Sequence, residues 1–171
     1  MPDTGRILTT HAGSLPRPAA LAALHGRRSR GEDVDDGELR DAIAAATTSV
    51  IAQQVEAGID IGNDGEQARE SFFTYVAHRM TGFGGTSHRT AMRDLLDHPD
   101  LLELRLPRNA RVKVSLMAAP AAIGEVTYRD TTEVDAECAL VAGAPFAETF
   151  MTAASPGIVA AAMENLSLIH I

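Results

Sequence analysis

The sequence predicts an α/β fold: about the first half of a (β/α)8 TIM barrel. Three observations predict it. Short β-prone runs alternate with longer stretches of helical periodicity, strand then helix, four times over. That alternation implies parallel strands joined by helical crossovers. Two of the runs break directly into loops of glycine and polar residues, the place where barrel enzymes carry chemistry. Finally, the chain has 171 residues, against the roughly 250 of a complete barrel.

Ile7-Leu8-Thr9-Thr10 reads as a buried strand that breaks at Ala12-Gly13-Ser14. Pro18 opens a short helix through Leu21 and Leu24. Asp35 or Asp36 caps the next helix, whose stripe is Leu39, Ile43, Ala46, Val50, Ile51 and Val55. Gly58 stops it. Ile59-Asp60-Ile61-Gly62 is the second strand, and Asn63-Asp64-Gly65-Glu66 the polar loop after it. Gln67 to Met80 reads as a helix with Phe72, Phe73, Val76 and Met80 on its apolar side, and Thr81 to Thr90 as a long glycine-rich loop. Thr90 to Leu104 is helical with a break at Pro99, and Val112 to Met117 alternates as a strand. Ala121 to Tyr128 is a loop with a short extended piece, Thr131 to Ala142 a helix and Glu148 to Thr152 a strand. Ser155-Pro156 then opens a helix running to Asn165. Strands 7–10, 59–62 and 112–117 are expected side by side, with 36–57 outside them.

Composition narrows the function classes. Hydrophobic residues make up 45% and charged residues 22% of the chain, which suits a globular domain. A formal net charge of -8 argues against nucleic acid or an anionic membrane surface as partner. The basic run Arg27-Arg28-Ser29-Arg30 is followed by Glu32, Asp33, Asp35 and Asp36, and reads as a solvated loop. Cys138 is the single cysteine, so neither an internal disulfide nor a thiolate-only metal site is available. It reads as a small core residue. The expected compartment is a reducing cytoplasm, with no secretory leader and no membrane span.

Two loops carry the candidate chemistry. His11-Ala12-Gly13-Ser14 follows the first strand and Asn63-Asp64-Gly65-Glu66 the second. Both place glycine beside polar groups, as a backbone does when it approaches a ligand closely. The structural alternative is that Gly13 and Gly65 make turns, Asp64 caps the next helix and His11 supports its neighbours. A metallohydrolase barrel offers two histidines one residue apart on its first strand, whereas position 13 here is Gly.

Thr9-Thr10-His11-Ala12-Gly13-Ser14-Leu15-Pro16-Arg17-Pro18 resembles the opening strand and loop of cobalamin-independent methionine synthase catalytic domains and their shorter relatives. Glu56 to Arg69 resembles their second signature, and Phe150 to Gly157 a third. The resemblance implies a (β/α)8 barrel of the methionine synthase and uroporphyrinogen decarboxylase-like type over residues 1–165. It implies methyl transfer from a methyltetrahydrofolate to the thiol of homocysteine, with zinc holding the thiolate. By motif match, the backbone at Ala12, Gly13 and Ser14 would hold the amino acid's carboxylate and Glu66 its ammonium. His11 and Asp64 would be neighbours of the site. No metal ligand is assigned within the chain; the family's zinc ligands are expected beyond residue 165. His11 brings the chain closer to the short relatives, some of which act on other thiols, such as the epoxyalkane-coenzyme M transferases. A third reading is a non-catalytic half-barrel. Leu166-Ser167-Leu168-Ile169-His170-Ile171 does not resemble the family. It is what CTG-TCT-CTT-ATA-CAC-ATC encodes, a transposon-end adapter used in sequencing libraries, so 166–171 is expected to be a non-native tail. The alternative is an ordinary apolar C-terminus.

Overall fold

The computed structural model describes residues 5–89, 97, 98, 100 and 119–167. The strand expected at 112–117 and most of the helix expected over 90–104 lie outside them. In chain order the described elements are α1 (Ala19–Ser29), α2 (Asp36–Glu56), β1 (Ile61–Gly62), α3 (Val76–Arg79), β2 (Phe83–Gly84), β3 (Ala121–Ala122), α4 (Thr132–Ala142), β4 (Glu148–Thr149) and α5 (Pro156–Ala162). The expected alternation is met only in part: 7–10, expected as a buried strand, forms just an isolated bridge at Thr10, and Ile7 is exposed because nothing among the described residues covers it. Among the described residues the strands form two separate pairs, one parallel and one antiparallel, and not a closed barrel. No helix among them is long and apolar enough to cross a membrane.

The chain divides into two compact units. The first comprises Met1–Leu21, Asp35–Ala68 and Thr132–Ala153. Its centre is β1. Ile61 bridges Thr10 in parallel on one edge and Glu148 in parallel on the other, and Gly62 pairs with Thr149. Both edges of Ile61 are therefore taken. On the second edge β4 lies beside β1, and the expected neighbour, 112–117, lies outside the described residues. The chain leaves this unit after Ala68 and returns only at Thr132, so the next strand it supplies is 148–149.

Asp60 locks the entry to β1. Its carboxylate takes both terminal nitrogens of Arg6 and the amide of Thr9 at 2.8 Å. The Arg6 guanidinium first, then the Thr9 amide, hold the carboxyl down to about 2. A carboxyl depressed by folding stabilises above its ordinary value of 3.8, and that contribution is lost as pH falls through about 2. Asp60→Asn should therefore flatten the pH dependence of the unfolding midpoint between those two values. Urea titrations at stepped pH would show it, and an unchanged acid limb would rule the lock out.

α2 begins as the sequence indicates. Asp35 Oδ1 accepts the Glu38 amide at 2.7 Å, and Asp36 and Glu38 sit at the positive end of the helix dipole. Leu39, Ala46, Val50 and Ile51 are buried. Val55, expected in that stripe, is 40% exposed, while Gln54 is buried. The reason is a polar one. Gln54 accepts the Asn63 amide at 3.2 Å and donates to the Asn63 carbonyl at 2.8 Å, satisfying a buried peptide just past β1. Gly58 ends the helix at φ +77. α4 lies against α2. It turns Glu137 and Val141 inward and leaves Cys138 exposed, which corrects the core placement of that cysteine. The inward face at i and i+4 carries 138 round to solvent.

The second unit comprises Ala22–Val34, Arg69–Thr131 and Ala154–Ile171. α1 runs further than expected, so Arg27 and Arg28 form its last turn rather than a loop. Their charge suits that end of a helix, and Arg27 and Arg30 both pair with Glu32. The helix expected over 67–80 is reduced to α3. Polar side chains compete for the backbone here: Ser71 Oγ takes the Thr74 amide at 3.0 Å and bonds the Thr74 hydroxyl, which favours a turn. Phe72, expected on the apolar side, is 39% exposed, and Tyr75 is buried instead. The loop expected over 81–90 contains β2, which pairs antiparallel with β3. Thr81 to Thr127 and Ile123 to Gly82 backbone bonds of 2.8 Å extend that ribbon. Ser155 caps α5 through the Ile158 amide at 3.2 Å, with Pro156 following, as predicted. The helix stops at Ala162 rather than 165, and the carbonyls of Ala160 and Ala161 are taken by Arg89. The amides of Leu166 and Ser167 donate to Ala122.

Candidate functional site

The loop after β1 is built by its own side chains. Asn63 Oδ1 accepts the Gly65 amide at 2.8 Å, and Asp64 Oδ1 accepts the Glu66 amide at 3.0 Å. Two successive Asx turns fold the chain back on itself. Asp64 thus shapes a turn rather than capping a helix. The turn throws Gly65 to φ +59 and Glu66 to φ +57. Glu66 is the one non-glycine residue with positive φ among those described. A left-handed residue with a side chain costs about 1–2 kcal/mol, so the surrounding bonds must hold it there.

The loop over 11–15 is zipped onto this one. Asn63 Nδ2 donates to the His11 carbonyl at 2.6 Å. Leu15 donates its amide to Gly65 at 3.0 Å, and Gln67 Nε2 donates to the Leu15 carbonyl at 3.1 Å. At Gly65 a Cβ would lie 3.0 Å from that of Leu15 and 3.2 Å from Val50, so the close approach needs a glycine. His11 Nε2 closes its own loop on the Gly13 carbonyl at 3.1 Å.

These bonds deliver Glu66 to one place, and its carboxylate is the hub. Ser14 Oγ donates to Oε2, and Thr152 Oγ1, three residues past β4, donates to Oε1 at 3.1 Å. Arg17 Nη2 donates to the Glu66 carbonyl at 2.8 Å. Glu66, Asp64 and Asn63 are buried, while Ala12, Gly13 and Ser14 are exposed. The structure therefore brings Ser14 and Glu66 into contact, with Asp64 and His11 supporting the two loops. Ser14 meets Glu66 through its hydroxyl, a contact the sequence reading did not name. Three residues were missed. Arg17 and Thr152 both lay inside quoted motifs. The signal for Thr152 was its position just past a strand's C-terminal end. Gln54 gave no signal beyond a polar residue in an apolar stripe.

A buried carboxylate with two hydroxyl donors keeps about two of its four acceptor positions for a ligand. Such a group favours a cationic donor, and a primary ammonium has three N–H bonds to offer. Among the described residues no group of three or more His, Cys, Asp or Glu could hold a metal ion. Cys138 points its Sγ at Met151 Sδ, 3.6 Å away.

A family model described as "Cobalamin-independent synthase, Catalytic domain" matches residues 7–101. The methionine synthase of Sulfolobus acidocaldarius is 37% identical over 89 residues, 52% of this chain and 26% of that protein. That of Thermococcus kodakarensis is 32% identical over 75 residues, 44% of this chain and 22% of that protein. The matches thus span about a quarter of the length of these curated relatives. Among solved structures, a B12-independent methionine synthase from Shewanella in complex with selenomethionine aligns with a TM-score of 0.64 at 21% identity. That alignment covers 92% of this chain and 40% of the other, and at this identity the likeness is one of fold.

Proposed function

Since the chain belongs to the cobalamin-independent synthase catalytic-domain family, we propose that it forms the first part of a barrel enzyme that methylates the thiol of homocysteine. In this reading residues 1–165 belong to a single (β/α)8 domain and the methyl donor is a methyltetrahydrofolate. The fold likeness to 40% of a methionine synthase chain supports the first point. The observation that carries the function is the buried Glu66 carboxylate, held by hydroxyls at both oxygens.

This chain's share of the work is to bind and orient. Glu66 takes the ammonium of the amino acid, and the exposed backbone at Ala12, Gly13 and Ser14 takes its carboxylate. Fixing both ends of the amino acid aims its thiol, and positioning of that kind lowers a barrier by avoiding lost freedom at the reaction. Coenzyme M carries a sulfonate and no ammonium, so Glu66 favours an amino-acid thiol over it. Zinc would supply thiolate activation, but the described residues do not fit it: they hold no ligand cluster, and Cys138 is exposed on α4. The ligands are expected beyond residue 165.

The test is methyl transfer by the intact parent protein against the 171-residue chain alone. The parent should convert homocysteine to methionine with a methyltetrahydrofolate, and the isolated chain should show no turnover. A parent inactive on homocysteine but active on coenzyme M would overturn the reading in favour of the other thiol class.

A further inference from the structure

Glu66 is held at every polar group it has. Asp64 takes its amide at 3.0 Å, Arg17 its carbonyl at 2.8 Å, Ser14 one carboxylate oxygen and Thr152 the other. The four partners differ in what they can fix. Asp64 and Arg17 fix the backbone, including its φ of +57. Ser14 sits on an exposed loop and reaches one oxygen alone, which leaves the carboxylate free to rotate about its last bond. Thr152 reaches the second oxygen from a half-buried position just past β4. Its branched side chain is stiff at χ1. With both oxygens held, the plane of the carboxylate is set, and so is the direction of its remaining acceptor positions.

We propose that Thr152 is a positioning residue for the amino-acid site: its hydroxyl orients Glu66 so that the carboxylate meets the ligand's ammonium. The inference rests on the assignment of Glu66 to the ammonium, and it adds a third strand end to a site otherwise drawn from two.

The experiment uses the intact parent protein and two probes, L-methionine and 4-(methylthio)butanoate, the same thioether acid without the ammonium. Thr152→Val keeps the shape and removes the hydroxyl, and Thr152→Ala removes it in a second context. Each should weaken L-methionine binding about tenfold, the scale of one hydrogen bond to a charged group. Binding of the des-amino probe should stay as it was. Thr152→Ser should restore L-methionine affinity, which a purely structural role for the threonine would not require. Equal losses for the two probes, or no rescue by serine, would overturn the proposal. Glu66→Gln run in parallel separates the two readings. If it loses L-methionine selectively and the Thr152 variants do not, the role of Thr152 fails alone. If it shows no selectivity, the ammonium assignment and this inference fail together.

Discussion

Glu66→Gln in the intact parent should weaken binding of homocysteine by roughly 2–5 kcal/mol, the loss seen when one partner of a buried charge pair is removed. That corresponds to about a 30- to 5,000-fold rise in Kd. Gln preserves the volume of Glu66 and can still bond the hydroxyls of Ser14 and Thr152, so the fold should survive. What goes is the negative charge opposite the ammonium. In a buried setting an unpaired ammonium cannot be repaid by water. A thiol acid without the amino group never made that pair, so its affinity should barely change. Calorimetric titration of the two ligands on both proteins decides the matter. Matched losses for the two would show that Glu66 serves the fold rather than the ligand.

Gly62→Val should be the most damaging change to the sheet. An ideal Cβ at Gly62 would fall 2.1–2.4 Å from three atoms of the Phe146 ring, well inside contact distance. The next residue, Ala147, donates its amide to Asp60 at 3.0 Å, and Phe150 donates to Gly62 itself at 3.1 Å. The backbone at Phe146 cannot shift without disturbing the bonds that seat β4 beside β1, so the ring must swing on its own side-chain bonds to admit the new side chain. Overpacking of this kind costs about 1–3 kcal/mol. Phe146→Ala should recover part of the loss, with a coupling of roughly 0.5–3 kcal/mol in a double-mutant cycle. Urea unfolding of the four proteins measures it. Strict additivity would mean that the glycine is there for another reason.

The helix ends were legible in the sequence because their signals are local. Asp35 before an apolar stripe, Gly58 after it and Ser155-Pro156 ahead of α5 are capping residues whose geometry follows from their chemistry. Ser14, Asp64 and Glu66 were singled out because glycine-rich polar loops after expected strands are where backbone meets ligand. One failure is local and the others are not. The helix expected over 67–80 gave way to the side-chain bonds of Ser71 and Thr74. Gln54 looked like an interruption of the stripe until its partner, the Asn63 peptide, was in view. The parallel neighbour of 59–62 could not be read from order along the chain, because β4 arrives after a departure into the second unit. Thr152 needed that pairing first, since only β4 beside β1 brings its hydroxyl to Glu66.

The clamp on Glu66 is also assembled in time. Ser14 and Asp64 precede or sit beside it in the chain, but Thr152 is 86 residues later. A ribosome adding about 5–20 residues per second would need roughly 4–17 s to cover that interval. Until then the Glu66 carboxylate can have at most one of the two hydroxyl donors that the finished unit gives it. The first unit cannot close until 132–153 has emerged, so synthesis pauses within the intervening stretch would prolong exposure of β1's unpaired edge. Slowed translation between Ala68 and Thr132 should therefore lower the folded yield while the stability of the purified product stays the same.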